Sequence, residues 1–463
     1  MMRLILAMMM LAGSIGVAAA QAPAQPAPLP PGVAQAIAEV KAKARASDLS
    51  FDLLRDLITE VGPRPTGWNG EARARDWAVA KLKALGFTNV HVEPFTVPAW
   101  RRTGERFEIT APFRQPLVGV ALGWSAPTPP GGIEAEIVRF ADLTALRAAP
   151  AGSLVGKIAF VDERMARTQD GASYGYANPK RRQASQIAKE KGALAALIRT
   201  VGTNPDRVAN TGSASPAGTL TPIPAAAISN PDSDQIARLL AKGPVRVRMD
   251  VSVETRENAQ SGNVVAEIKG REEPGEIVLL GAHLDSWDIT PGAQDDGAGV
   301  TTMIAAAQAV QALKPRRTIR VVLYGAEEVG ELGGIEYARA HKAELSAHIA
   351  ATESDFGAGP AYRVRTSFAD PAKAAALAAQ LGDLAVITDS APAHGASDVG
   401  HVVEAGVPAV DINTDGYLYF DIHHTPVDTV EKVDRDAMRK NVAAWAAFAA
   451  FASETGWDFR AKP

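Results

Sequence analysis

From Asn263 onward the sequence alternates apolar, β-prone runs with helix-like ones, and this alternation restricts the fold more than any other feature. "NVVAEIKG" and "EIVLLGAHLD" read as strands, "GVTTMIAAAQAVQAL" as a helix, "TIRVVLYGAEE" as a strand, "GELGGIEYARAH" as a helix and "AHIAATESD" as a strand. "PAKAAALAAQL" predicts a further helix, "VPAVDIN" a further strand, and a long helix closes the chain near residues 435–453. Such a chain folds as α/β, with a mixed, mainly parallel sheet flanked by helices. The run "EIVLL" (Glu276 to Leu280) is apolar without alternation, as in a strand covered on both faces. In such sheets ligands bind beyond the carboxyl ends of the strands.

The polar residues at those strand ends are therefore the ones to gather. His283 and Asp285 follow the first strand, and Asp295 and Asp296 lie in the next loop. Glu327 and Glu328 end "VVLYGAEE", Asp355 ends "AHIAATESD", and His424 lies in "DIHHTPVDT". Acids beside a buried strand are costly unless something compensates them, and a metal ion does so. The chain has no cysteine, which excludes disulfides, thiolate catalysis and cysteine-bound metal. A set of imidazoles and carboxylates suits zinc, with manganese or cobalt as substitutes. Asp295, in a glycine-rich loop, is the natural bridge between two ions. One carboxylate of the Glu327–Glu328 pair can ligate while its neighbour stays free as a base. Asp285 can accept the second ring N–H of His283 and fix its tautomer. Each feature alone has a plainer reading: a surface hydrogen bond, a helix-start acid pair, a solvated histidine pair. Their shared place at successive strand ends gives the metal reading its weight.

Upstream, Val33 to Thr59 reads as helical, "VGPRPTG" as a proline-punctuated loop, "EARARDWAVAKLKALGF" as an amphipathic helix and "NVHVEPFTVP" as a strand. Composition shifts near "SAPTPPGG". From there to about Asp250 come short strands such as "GKIAFVD" and "ALAALIR" and a Gly/Ser/Ala/Pro-rich loop, without a histidine or an acid cluster. Residues 125–250 read as a small, β-rich inserted domain, which divides a catalytic domain into residues 33–124 and 251–463. The N-terminus has Arg3, an apolar stretch from Leu4 to Val17 and then Ala18-Ala19-Ala20. This is the pattern of a signal peptide over residues 1–20, followed by a proline-rich linker over 21–32. The stretch is short for a membrane span. Export to the periplasm or the medium is expected, with no membrane association after cleavage. The net charge of −4 provides no basic surface for nucleic acid.

"GAHLDSWD…GAQDDGAG", "YGAEEVGELGG", "ESD" and "HHTPVDT" together resemble the signature motifs of the co-catalytic zinc exopeptidases. That family includes bacterial leucyl aminopeptidase, glutamate carboxypeptidase and carboxypeptidase Q. The "VGPRPTG" loop and the insert ending "PIPAAAIS" resemble its carboxypeptidase Q-like branch, in which the insert is a protease-associated (PA) domain. The resemblance implies two zinc ions per chain. His283 and Asp355 hold one, Glu328 and His424 hold the other, Asp295 bridges them, and Glu327 is the general base. Counting back from Asp428 selects His424 over His423. The family pattern also implies a cis peptide between Asp295 and Asp296. The implied activity is hydrolysis of terminal peptide bonds in short peptides, of aminopeptidase or dipeptidase type, by metal-activated water. Carboxypeptidase action, a non-catalytic transferrin-receptor-like binding protein and a single-zinc glutaminyl cyclase-like transferase are the competing readings. His394, in "APAHGASDVG", is expected to line the substrate cleft. Trp287 reads as packing, and His91, His341 and His348 as surface or structural. A homodimer is a candidate assembly.

Overall fold

The computed structural model describes residues 24–384 and 387–460. The leader sequence, with Arg3 and Ala18-Ala19-Ala20, lies outside the described residues. No helix among the described residues is long and apolar enough to cross a membrane.

The first helical stretch is two helices, Val33–Arg45 and Leu49–Glu60. The break at 46–48 has a local cause. Ser47 Oγ accepts the Leu49 N–H, and Arg439 of the C-terminal helix pairs with the Asp48 carboxylate at 2.7 Å. Ser47 thus serves the helix start, as short polar residues do, while the Asp48 carboxylate is taken by the C-terminal helix.

Strands Glu273–His283, Arg317–Tyr324 and His348–Glu353 are adjacent and parallel. Every residue of Arg317–Tyr324 is buried, Arg317 and Arg320 as ion pairs with Glu273, Glu276, Glu267 and Glu344. Helices Ala298–Gln311 and Arg435–Glu454 pack over this part of the sheet, and Trp445, Phe448 and Phe451 fill its core. Parallel register decides where the functional residues fall. His283 pairs with Tyr324 and Gly281 with Glu353, so the three strands end within two residues of one another. Residues immediately after those ends are brought to one rim.

Two long strands, Thr88–Ala111 and Arg246–Ile268, pair antiparallel from Thr88 opposite Glu267 to Ala111 opposite Arg246, with bulges along the way. One end of this ribbon joins Arg317–Tyr324. The other joins Ile133–Phe140, beyond which Lys157–Val161, Ala195–Arg199 and Ala225–Ile228 continue the sheet in parallel. Helices Leu143–Ala148, Ala172–Ala177, Pro179–Glu190 and Asn230–Leu240 alternate with these strands. The segment therefore carries more helix than the β-rich reading of its sequence suggested. "PKRRQASQIAKE" buries Lys180, Arg181 and Ser185 beside Ile187 and two alanines, which leaves no apolar stripe to read.

Candidate metal centre

Asp295 stands between two histidines. His283 Nε2 lies 3.1 Å from its Oδ1, and His424 Nε2 lies 3.2 Å from its Oδ2. Asp355 Oδ1 is 3.3 Å from the same nitrogen of His283, and Glu328 Oε2 is 2.9 Å from that of His424. The five residues chosen from the sequence thus form two half-sites that share one carboxylate.

The Asp295 loop is fixed from several directions. Asp428 accepts the main-chain N–H groups of Gln294 (2.8 Å) and Asp295 (3.2 Å). Asp296 accepts those of His283 (3.2 Å) and Gly299 (3.0 Å). The Asp295–Asp296 peptide is cis. A Cβ on Gly299 would lie 2.1 Å from the Ser354 carbonyl, so only glycine fits there. Arg64, fully buried, donates to the carbonyls of Leu284 (2.6 Å), Pro291 (2.6 Å), Gly292 (2.9 Å) and Gly62 (3.2 Å). It staples the 284–292 loop to the "VGPRPTG" loop.

Other contacts orient the candidate ligands. Ser397 Oγ donates to Asp355 Oδ2 at 2.7 Å. His283 Nδ1 lies 3.1 Å from the main-chain carbonyl of Asp285 and 3.7 Å from its carboxylate. The expected carboxylate contact is thus replaced by the carbonyl of the same residue. The Asp285 carboxylate turns instead to Thr66 Oγ1 (2.6 Å) and the Glu327 N–H (3.0 Å). His424 Nδ1 faces the Thr211 carbonyl at 3.3 Å, and Ser213 Oγ donates to the Glu328 carbonyl at 3.1 Å. Thr211 and Ser213 come from the segment whose sequence carried no site signal. Trp287 is buried against Trp100 and tilts toward His424, in the packing role expected of it.

Charge and burial fit this site to cations. Burial disfavours the His424 cation, but Glu328 and Asp295 outweigh it and raise the ring's pKa to about 10. Burial pushes the Glu327 carboxyl well above the usual range; His283 opposes the rise, and Asp355 and Glu328 add to it. Asp295 Oδ2 and Glu328 Oε1 are buried and have no hydrogen-bond partner among the described residues. Oxygens in that condition are costly unless an ion takes their lone pairs.

Two further residues come close enough to count as donors: His423, grouped with Asp295 and His424, and Asp296, grouped with His283 and Asp355. His423 stacks on His424 at 3.6 Å between ring centres, but its Nε2 is 3.6 Å from Asp295, farther than that of His424. The Asp296 oxygens already accept two main-chain N–H groups. Of the two adjacent histidines His424 is thus the nearer to Asp295, and the Asp296 carboxylate is already engaged by the main chain.

The half-sites open into a cavity of about 730 Å³ whose lining includes Glu327, Glu328, Asp355, Tyr174, Arg181 and Ser213. His394 is not among its lining residues. It borders a smaller hollow of about 140 Å³ with Asp355 and Asp411, because the Asp411 carboxylate holds its main-chain N–H at 3.0 Å. His341 and His348 are structural, as expected. His341 bridges Glu93 and Glu344, and His348 lies buried against Tyr337.

The fold and this site define a metallo-exopeptidase, a hydrolase acting on peptide bonds. A family model, peptidase family M28, matches residues 263–449. Carboxypeptidase Q of Bos taurus is 32% identical over 404 residues, covering 86% of this chain and 84% of that protein. The Homo sapiens protein is 32% identical over 403 residues with the same coverage. A peptidase M28 precursor from Shewanella amazonensis superposes with a TM-score of 0.90 at 46% identity, covering 93% of this chain and 99% of that one. A zinc aminopeptidase from Bacillus subtilis shares the fold, with a TM-score of 0.65 at 20% identity over 90% of this chain and 98% of that one. The chain belongs to peptidase family M28.

Proposed function

We propose that this protein is an exported dizinc exopeptidase acting on short peptides, of aminopeptidase or dipeptidase type, with Glu327 as its general base. The observation that carries this reading is the division of the Asp295 carboxylate, Oδ1 toward His283 and Oδ2 toward His424. In this reading His283, Asp295 and Asp355 hold one zinc, and Asp295, Glu328 and His424 hold the other. The ions supply Lewis acidity to a water and to the scissile carbonyl. Glu327 takes the proton from the attacking water and returns it to the leaving amine. Its N–H bond to Asp285 fixes the backbone from which its carboxylate projects. Ser397, the Thr211 carbonyl and the Asp285 carbonyl hold the ligand side chains in place. Residues 125–250 form a protease-associated insert that supplies one wall of the cleft, and residues 1–20 are removed on export.

Carboxypeptidase action is the second reading, supported by the relatives named carboxypeptidase Q. A transferrin-receptor-like binding role is disfavoured, because every candidate ligand position and Glu327 are filled. The test is to strip the purified chain with a chelator, restore zinc stoichiometrically and follow dipeptide hydrolysis. Activity should vanish and return at two zinc ions per chain. Full activity at one ion, or none at two, would reject the proposal.

A further inference from the structure

We infer that Arg181 receives the free α-carboxylate of the residue just beyond the scissile bond, so that the preferred substrates are dipeptides or peptides with a free C-terminal residue. This deepens the exopeptidase reading above and rests on it.

Among the described residues five arginines are buried: Arg64, Arg181, Arg199, Arg317 and Arg320. Arg199 is paired with Asp162 and Asp234, Arg317 with Glu273 and Glu276, and Arg320 with Glu267 and Glu344. Arg64 has its four carbonyls. Arg181 is different. It is 3% exposed, yet its hydrogen bonds go only to neutral groups, the Thr211 carbonyl (3.0 Å) and the Tyr174 hydroxyl (2.5 Å). Its Nε is buried without a partner among the described residues. A desolvated guanidinium lacking an anion is unfavourable, and a planar carboxylate is the group that satisfies its fork of donors. Arg181 faces the cavity, so an anion can reach it from there.

The distance to the reaction centre sets which carboxylate this is. The Thr211 carbonyl that accepts from Arg181 also faces His424 Nδ1 at 3.3 Å. The guanidinium therefore stands two hydrogen bonds from a candidate zinc ligand. One residue spans about 3.8 Å along the chain. That reach suits the carboxylate of the residue released by cleavage, and not one several residues farther on. The cavity lining also carries both signs of charge, Arg181 and Arg182 with Glu327, Glu328, Glu331 and Asp355. A zwitterionic dipeptide presents both charges in return.

The competing role for Arg181 is a prop beneath the Thr211 carbonyl and His424. The two roles separate when the zinc-loaded full chain is given a neutral dipeptide and the same dipeptide with a C-terminal amide. The wild type should prefer the free acid in kcat/KM by on the order of 10- to 100-fold, the range of a charge-assisted hydrogen bond. Arg181→Met should bring the ratio to about one while hydrolysis of the amide persists, and Arg181→Lys should restore part of the preference. A wild type that cleaves acid and amide equally overturns the inference and leaves the exopeptidase reading intact, without need of any variant. Equal loss on both substrates in Arg181→Met and Arg181→Lys assigns the prop role and also overturns it. A wild type that cleaves neither substrate removes the exopeptidase reading and this inference together.

Discussion

The main-chain N–H of Glu327 donates to the Asp285 carboxylate across 3.0 Å. This bond joins the turn after one strand to the turn after its neighbour. It holds Glu327 and Glu328 in a fixed relation to His283, so that two adjacent acids face different tasks. Glu328 Oε2 contacts His424, whereas Glu327 makes no contact with either histidine short enough to count as an ion pair among the described residues.

Opposite phenotypes are therefore expected for this pair. Glu327→Gln keeps the shape but cannot take a proton. Zinc content should persist while dipeptide turnover falls on the order of 10²–10⁴-fold. Glu328→Gln removes a charged donor and should lose zinc. Metal content and turnover, measured on both variants, check the assignment. Loss of zinc in Glu327→Gln would exchange the two roles.

Asp295→Ala should abolish binding of both ions. Each half-site depends on a different oxygen of the same side chain. His424→Ala should leave one ion bound through His283 and Asp355. Elemental analysis of both purified variants is the check. Two ions retained by Asp295→Ala would exclude it as the bridge.

Arg64→Lys tests the loop staple. An ammonium has three donors on a point and cannot span carbonyls on both sides of the loop as the guanidinium does. The variant should fold but bind zinc more weakly, on the order of 10- to 100-fold, as for other changes in the support of metal ligands. Arg64→Ala leaves buried carbonyls unsatisfied and should destabilise the zinc-loaded protein by about 3–5 kcal/mol in urea unfolding. Unchanged zinc affinity in Arg64→Lys would confine Arg64 to a stability role.

Lys180 gives a pH dependence that involves none of the candidate metal ligands. Its ammonium is buried, and burial lowers its pKa from 10.5 to about 7, with Glu163 opposing the shift. Between about pH 7 and 10.5 the unfolded chain holds the proton and the folded chain does not. The lysine's contribution to stability therefore increases with pH across that window and is least favourable below pH 7. Lys180→Met should remove this component. The difference in unfolding free energy between wild type and Lys180→Met, measured from pH 6 to 10, is the check. A difference that does not change with pH would contradict it.

The residues most legible in the sequence were those fixed by parallel strands. A strand buried on both faces is written mostly in apolar residues, so the acid that follows it is conspicuous, as Glu327 after "VVLY" and Asp355 after "IAA" are. Arg64 gave little warning, because an arginine between two prolines looks like any surface loop until its carbonyl partners are seen. Thr211, Ser213 and Arg181 gave none. They sit in polar or small-residue stretches with no periodicity, and only the tertiary fold carries them to the cleft. The ribbon was seen in part. "NVHVEPFTVP" alternates, but the continuation "RRTGERFE" is stabilised by pairing with Arg246–Ile268 and not by an apolar face of its own.

That ribbon has a bearing on how substrate length is measured. The two strands are continuous, and they connect the rim carrying Glu327 to the layer carrying Arg181. The parts of the chain that line the cleft are thus tied into one sheet by rungs of backbone pairing. A hinge motion that widened the cleft would have to break those rungs or bend the ribbon at its bulges. A change in preferred peptide length would then be sought in the side chains that line the cavity and not in this main-chain frame.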